Sequence, residues 1–562
     1  MNQTDRLSDA PRPDPPVDPL VTARLSDEQL ELLGKRGAAE ETHRGQVLFH
    51  EGDRSYDFIV ILAGTVNVVD HQAGAERVLA TGGAGDFVAE LSILTGERLF
   101  TTAVVEEPGS ILVVPVDELQ LAIGEDQALG DLLVQTLFRR RQWLARERAG
   151  MRIVGPRASR DTNRLRQFAT RNRLAHVWLD VDTDPAATAV LERHQLTADD
   201  TPIVVMRGGE LLRNPTNDEL AQAAGIRHHP APSVTYDVAV VGAGPAGMAA
   251  SVYGASEGLA VLTVDGVGVG GQIGTTSRIE NYLGFPVGVT GEEFAERALI
   301  QVRRFGATLV VPATAIALRA EGEMFVLELD DGGRVSSRSV IIASGVTYRR
   351  LDARGLDRFE GAGIFYTPLT PHDEIEPGAP VVIVGGGNSA GQAATALAAD
   401  DHDVNVVVRG HHLAETMSKY LIDRVNDDPR ITVRVDSEVR EVHGGSRLET
   451  VDVEDRSTGT RRTLPAAALY VLIGAEPRTD WLPPSIELDP HGFVRTGPAL
   501  DVDLRDRPPW DRLGRDPYLM ETSLPGVFAA GDVRSDSVKR VAAGVGEGSI
   551  TIRFVSEYLA HR

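Results

Sequence analysis

Two glycine-rich turns carry the clearest chemistry in this sequence. Gly242-Ala243-Gly244-Pro245-Ala246-Gly247 follows the apolar run Tyr236-Asp237-Val238-Ala239-Val240-Val241, and Gly385-Gly386-Gly387-Asn388-Ser389-Ala390 follows Val381-Val382-Ile383-Val384. A strand, a glycine turn and a helix in that order suit a dinucleotide pyrophosphate. The first glycine turns the chain, the second admits the phosphates to backbone N–H groups, and the third lets helix and strand pack closely. Asp265 ends the run VLTVD, about 20 residues after the first turn, where a carboxylate meets a ribose hydroxyl. Two such turns in one block predict two nucleotides, a flavin and a nicotinamide.

Other chemistry is excluded by what the chain lacks. It has 562 residues and no cysteine, so disulfides, thiolate metal sites, iron–sulfur clusters and cysteine nucleophiles are out. A net charge of −24 repels phosphate and argues against nucleic acid as a partner. It argues equally against anionic lipid. His228-His229 and His411-His412 are paired in sequence, but neighbours on a strand face opposite ways, and no metal site is expected. No apolar run is long enough for a membrane span. The first residues, MNQTDRLSDAPRPDPPVDP, have no charged-then-apolar pattern, so residues 1–20 read as a disordered tail and the protein as cytoplasmic.

The elements that must position the turns fall into three blocks. Residues 21–147 alternate short β-rich runs with glycine turns, at 46–53, 57–70 and 109–119, and predict a small β-barrel or jelly roll. A helix with a basic face, including Arg139-Arg140-Arg141, is expected over 131–150. Residues 148–230 read β-α-β-α-β-β-α, a small α/β domain. From 235 onward, repeated strand–glycine–helix units predict parallel sheets covered by helices. The fold class is thus multidomain: a β-barrel, a small α/β domain and a Rossmann-like α/β block with two dinucleotide-binding domains.

Residues 235–562 resemble the thioredoxin reductase family of flavoproteins. The resemblance rests on GGQI (270–273), IENYLGFP (279–286), IIASG (341–345), GGGNSA (385–390), IGAEP (473–477), GVFAAGDVR (526–534) and KRVAAGVGEGS (539–549). It implies a split FAD domain, 235–350 with 478–562, an inserted NAD(P)H domain at 351–477, and a homodimer. It further implies that Gly242, Gly244, Ala246 and Gly247 hold the FAD pyrophosphate and that Asp265 takes the adenosine ribose. Gly271, Gln272 and Asn281 would lie by the flavin, Asp532 by the ribityl chain, and Arg540, Val541 and Ala542 at the isoalloxazine. Gly387, Asn388, Ser389 and Ala390 would hold the NAD(P)H phosphates.

Two departures from that family matter. Its strand-end basic patch for the 2′-phosphate of NADPH is Val408-Arg409-Gly410-His411-His412 here. Arg409 survives and no acidic residue replaces it, which favours NADPH over NADH. The redox dithiol position reads Phe365-Tyr366-Thr367-Pro368-Leu369-Thr370. Thr367 and Thr370 stand where the cysteines would be, and a hydroxyl forms neither a disulfide nor a charge-transfer thiolate.

The first block resembles a cyclic-nucleotide-binding domain, with the ligand cassette at Gly85 to Ala103. Glu90 stands where a ribose hydroxyl would be bound. The arginine for the cyclic phosphate is expected at Leu99 or Phe100, and Arg98 falls one residue short. The second block resembles a thioredoxin fold, with Thr201-Pro202 in the cis-proline loop and the motif position near 155–162, again without cysteine.

The expected function is an FAD-dependent NAD(P)H oxidoreductase that moves hydride to FAD and then to an unidentified electron acceptor, its dithiol relay lost. Cysteine-free members of the wider family reduce ferredoxin or flavodoxin, which keeps a carrier protein open as acceptor, alongside a partner's disulfide. A non-catalytic flavin or pyridine-nucleotide sensor is the reading from a different class.

Overall fold

The computed structural model describes residues 24–562, apart from 54–56, 73–74, 89–98, 100, 147–149, 158, 173, 207–208, 227–233, 276–278, 280–281, 361–362, 367–374, 377, 416, 446 and 562. The chain forms two compact units, Met1–Gly150 and Met151–Arg562. No helix among the described residues is long and apolar enough to cross a membrane.

The first unit is built on one six-stranded antiparallel sheet. Ala38–Glu41, Thr102–Val114, Phe58–Gln72 and Ala75–Gly82 lie in that order, with Val47–Phe49 on Thr102–Val114 and Phe87–Val88 on Phe58–Gln72. Among the described residues the sheet does not close, which corrects the expected barrel. The two long strands instead bend at register shifts between Ile61 and Ala63 and between Ala63 and Thr65, where unpaired residues sharpen the local twist. Phe58 and Phe87, their rings 5.4 Å apart, fill the core. The apolar run 109–119 is not one strand. It ends at Val114 because Pro115 caps the helix Val116–Glu125. The helix Gln127–Arg146 follows. Arg140 turns back inside this unit, with its guanidinium 4.9 Å from the Phe87 ring and a 2.9 Å bond to the Phe87 carbonyl.

The second unit opens with a four-stranded sheet ordered Leu211–Arg213, Ile203–Val205, Met151–Val154, His176–Leu179. Helices Arg160–Arg171 and Pro185–Arg193 intervene in sequence, and Asn217–Ala223 follows the last strand. Ser159 caps Arg160–Arg171 by accepting the Thr162 N–H, and Leu165, Phe168 and Ala169 bury one stripe of that helix. The Thr201–Pro202 peptide is cis.

Two larger sheets follow. The seven-stranded one runs Thr308–Val310, Val261–Val264, Thr235–Val241, Arg334–Ile342, Met324–Leu329, Ala315–Glu321, with Val527–Ala529 also on Arg334–Ile342. Its first four strands and Val527–Ala529 are parallel. The five-stranded one is wholly parallel: Ile364–Phe365, Ala468–Val471, Val381–Val384, Val404–Val407, Ile431–Arg434. Near-continuous Val, Ile and Leu in these strands is what burial on both faces demands. A ribbon of Val346–Tyr348 against Ala475–Pro477 carries the chain between the two sheets in both directions. A three-stranded antiparallel sheet, Ser437–Gly444, Leu448–Asp455 and Arg461–Pro465, flanks the second.

Candidate functional site

Both glycine turns sit at the carboxyl ends of parallel strands, where an open α/β sheet leaves a crevice. At the first, Gly242 has φ +113°, and a Cβ there would strike the Ala343 carbonyl. Only glycine fits on both counts. Gly244 is the N-cap of the helix Pro245–Ser256 and has no side chain to cap it, so the first N–H groups of that helix stay open to a ligand. A Cβ on Gly247 would strike the Gly242 carbonyl. Ala246 is buried in the core, so it serves by backbone and packing.

Segments distant in sequence converge on this turn. A Cβ on Gly271 would lie 2.9 Å from the Gly244 Cα, and one on Gly531 would lie 2.8 Å from the Ala246 Cβ. Gln272 donates to the Val346 carbonyl at 2.7 Å, tying its loop to the ribbon. Arg540 caps the helix Val541–Ala560, whose Gly544 and Gly548 lie against Ala246. Arg540 and Ala542 are exposed and Val541 is half-buried. Burial pushes the Asp532 carboxyl up, against the pull of Lys539, and burial beside Asp532 pushes the Tyr348 phenol up. Asn281 lies outside the described residues.

Asp265 is more occupied than the sequence suggests. It accepts N–H bonds from Ala243 at 2.9 Å, Val267 at 2.9 Å and Gly268 at 3.0 Å. A carboxylate has about four acceptor positions, so room remains for one ribose hydroxyl rather than two.

At the second turn Gly385 has φ +147° and a Cβ there would strike the Leu472 carbonyl. Gly387 caps the helix Asn388–Ala399, again without a side-chain bond. Asn388 and Ser389 are exposed and Ala390 is buried. The Asn388 side chain accepts the Ser418 N–H at 2.8 Å, which leaves its amide nitrogen for a phosphate. The pairing of Val384 with Val407 puts the exposed Arg409 at the same sheet end as Gly385. His411 pairs with Asp436.

Thr367 and Thr370 lie outside the described residues. Just before them Glu360 accepts the Tyr366 hydroxyl at 2.9 Å and Arg350 at 3.0 Å. Burial and the Glu360 carboxylate push the Tyr366 phenol up. In the first unit Glu90 and Arg98 also lie outside. Leu99, at one position expected for a phosphate arginine, is buried among Phe49, Ile59 and Val88.

Two contributors were not singled out from sequence. Glu547 binds the Gly531 N–H at 2.7 Å, Arg534 at 2.7 Å and the Ser537 hydroxyl at 3.0 Å, and so shapes the loop that carries Asp532. Its signal was an acidic residue in the small, apolar start of its helix, residues 541–549. Tyr348 had no signal beyond its place after a strand. Glu441, His443 and Asp452 converge elsewhere, but Arg354 holds Glu441, and Thr463 and His443 hold Asp452.

Comparison with known proteins adds the following. Residues 236–548 match the pyridine nucleotide-disulphide oxidoreductase family, and residues 39–126 match the cyclic nucleotide-binding domain. Thioredoxin reductase of Streptomyces clavuligerus is 30% identical over 325 residues, 58% of this chain and 94% of that protein. The Mycolicibacterium smegmatis enzyme of the same name is 30% identical over 327 residues, 58% and 97%. The crystal structure of T. acidophilum thioredoxin reductase is 26% identical, covering 58% of this chain and 99% of that one, with a TM-score of 0.49.

Proposed function

The chain belongs to the pyridine nucleotide-disulphide oxidoreductase family, and from that premise we propose that it is an NAD(P)H oxidoreductase without a dithiol of its own. FAD would occupy the first glycine turn and NADPH the second. The observation that carries this reading is the pair of glycine turns, each opening an uncapped helix N-terminus at the end of parallel strands. Bound together, the two nucleotides supply hydride transfer from the nicotinamide to flavin N5, a step that needs proximity and stacking rather than a thiol.

The residues fit those groups. Around Gly244 and Gly271 there is backbone with no side chain in the way, which suits a pyrophosphate. Asp265 can receive one ribose hydroxyl while its other bonds hold the turn. Asp532, on the loop that Glu547 holds, would meet the ribityl chain. Arg540 and Val541 open the helix whose N–H groups would meet the isoalloxazine oxygens. Arg409 would pair with a 2′-phosphate.

With no cysteine in the chain, electrons would leave a bound flavin for an outside acceptor: a quinone, oxygen, an electron-carrier protein or a partner's disulfide. The match at 39–126 makes the first unit a member of the cyclic nucleotide-binding family. We read it as regulatory, with phosphate binding weakened because Leu99 is committed to the core. We read 151–226 as a thioredoxin-like domain that has lost its redox pair; its element order and the glycine, threonine and proline packed at Gly155, Thr162 and Pro202 support this.

The test is an anaerobic NADPH titration of the purified protein, following flavin absorbance. Bleaching at about one equivalent per FAD supports the oxidoreductase. FAD that is bound yet bleaches with neither NADPH nor NADH replaces it with the sensor. A protein that binds no FAD refutes the oxidoreductase and the flavin sensor, and leaves a pyridine-nucleotide sensor.

A further inference from the structure

The helix Arg160–Arg171 belongs to the 151–226 domain, yet each of its ends touches a different dinucleotide unit. Beyond its C-terminal end, the Asn172 side chain donates to the Val267 carbonyl at 2.7 Å. Burial pushes the Arg171 guanidinium pKa down, with the Asp265 carboxylate acting on it in the opposite direction. Val267 and Gly268 are the residues whose N–H groups Asp265 holds, so this contact falls on the turn that shapes the first glycine site. At the N-terminal end, Arg160 stands 3.7 Å from Glu360. That carboxylate is the one that also receives Arg350 and Tyr366. Twelve residues of helix span about 18 Å, enough to bridge the two.

Gly268 records how close the approach is. A Cβ there would lie 2.8 Å from the Arg171 Cβ and 3.2 Å from its carbonyl oxygen. The Gly268 backbone is not in the left-handed region, so conformation alone would admit any residue. What excludes a side chain is the helix docked on it. The Arg160–Glu360 pair is half exposed and weak by itself. It gains weight as the far end of a rigid helix whose near end is packed.

We propose that the 151–226 domain is a resident clasp: its Arg160–Arg171 helix docks on both dinucleotide units at once, bracing the 265–268 turn and the Glu360 segment together. The docking stands without the flavin reading; only its consequence for flavin retention rests on that reading.

The test is amide hydrogen exchange on the full chain, wild type against Gly268→Val, which wedges the near end. A clasp transmits the change. Exchange should rise by about tenfold at 265–268 and also at the far end, at the Glu360 and Ile364 amides. Change confined to 265–269 would overturn the proposal, because it would make the contact local. Where Gly268→Val fails to fold, Asn172→Ala and Arg160→Glu carry the test. Each should raise exchange at the end opposite to its own, and if neither does the proposal is lost. In protein that holds FAD, the same variants should speed flavin release by about tenfold; unchanged release alongside transmitted exchange would overturn the consequence for flavin retention. A preparation with no FAD would sink the flavin reading while the exchange result still decides the clasp.

Discussion

The carboxylate of Asp265 accepts the backbone N–H of Ala243, the second residue of the first glycine motif, at 2.9 Å. The strand end thereby holds the turn it was expected only to face. Removing it with Asp265→Ala strips three N–H groups of a charged acceptor. Bonds of that kind are worth about 1.5–3 kcal/mol each. With partial rescue by water, FAD affinity should fall by roughly thirtyfold, or about 2 kcal/mol. Asp265→Asn keeps one acceptor oxygen and should fall between. Fluorescence titration of the flavin-free protein with FAD checks this, and equal affinity in all three proteins would show that the turn stands without the carboxylate.

Glu547 is the second test of positioning. It is largely buried and joins Gly531, Arg534 and Ser537. In Glu547→Ala the half-buried Arg534 loses its partner, which costs about 3 kcal/mol when the pair is desolvated. Melting temperature should drop in the flavin-free protein, and FAD affinity should drop with it because Asp532 rides on the same loop. Glu547→Gln keeps the Gly531 bond and should recover part of both. A stability loss with normal FAD binding would separate Glu547 from the site.

How much of this was legible in sequence follows from the range of the interactions. Gly242 and Gly385 could be read because a positive φ and a carbonyl in the way allow one residue type at a fixed offset from a strand. The order of elements in 151–226 could be read because short periodic runs and Ser159, Asp184 and Thr216 caps are local signals. The strand Ala75–Gly82 was missed: its outward Val78 is half exposed, which blurs the alternation. The 109–119 run was misread because an apolar strand and an apolar helix start meet at Pro115. Gly268 carries no local signal at all, and Glu547 only its acidity within a small, apolar helix start. One is small because of a helix about a hundred residues earlier, and the other binds a loop sixteen residues back.

Asp489 gives a pH dependence with a definite sign. Burial opposes its charge, but the Ser535 hydroxyl and the Phe493 and His491 N–H groups outweigh that and hold its carboxyl below the ordinary 3.8. A depressed folded pKa stabilises the protein above the unfolded value and loses that contribution as pH falls through the folded one. Asp489→Asn should therefore be less stable than wild type at pH 7. The gap should narrow once pH drops below 3.8. Urea midpoints measured from pH 7 down to the acid transition test this; a gap that stays constant would mean the asparagine lost shape rather than charge.

On the proposed reading, Arg409 sets the choice of reduced nucleotide. It is exposed, it stands at the sheet end that bears Gly385, and its carbonyl is held by Arg456 at 3.2 Å, so its backbone is fixed while its side chain reaches into solvent. A guanidinium facing a 2′-phosphate gives a charge-assisted pair worth about 1.5 kcal/mol at an exposed site. Arg409→Ala should raise the KM for NADPH about tenfold and leave the KM for NADH unchanged, with kcat preserved for both. Arg409→Glu should go further and invert the preference, since a carboxylate repels the phosphate and accepts the two ribose hydroxyls of NADH. Flavin reduction rates at varied NADPH and NADH resolve the outcomes. Equal losses with both nucleotides would mean that Arg409 supports the sheet end rather than reading the phosphate, and NADPH selection would then have to come from His411 or His412.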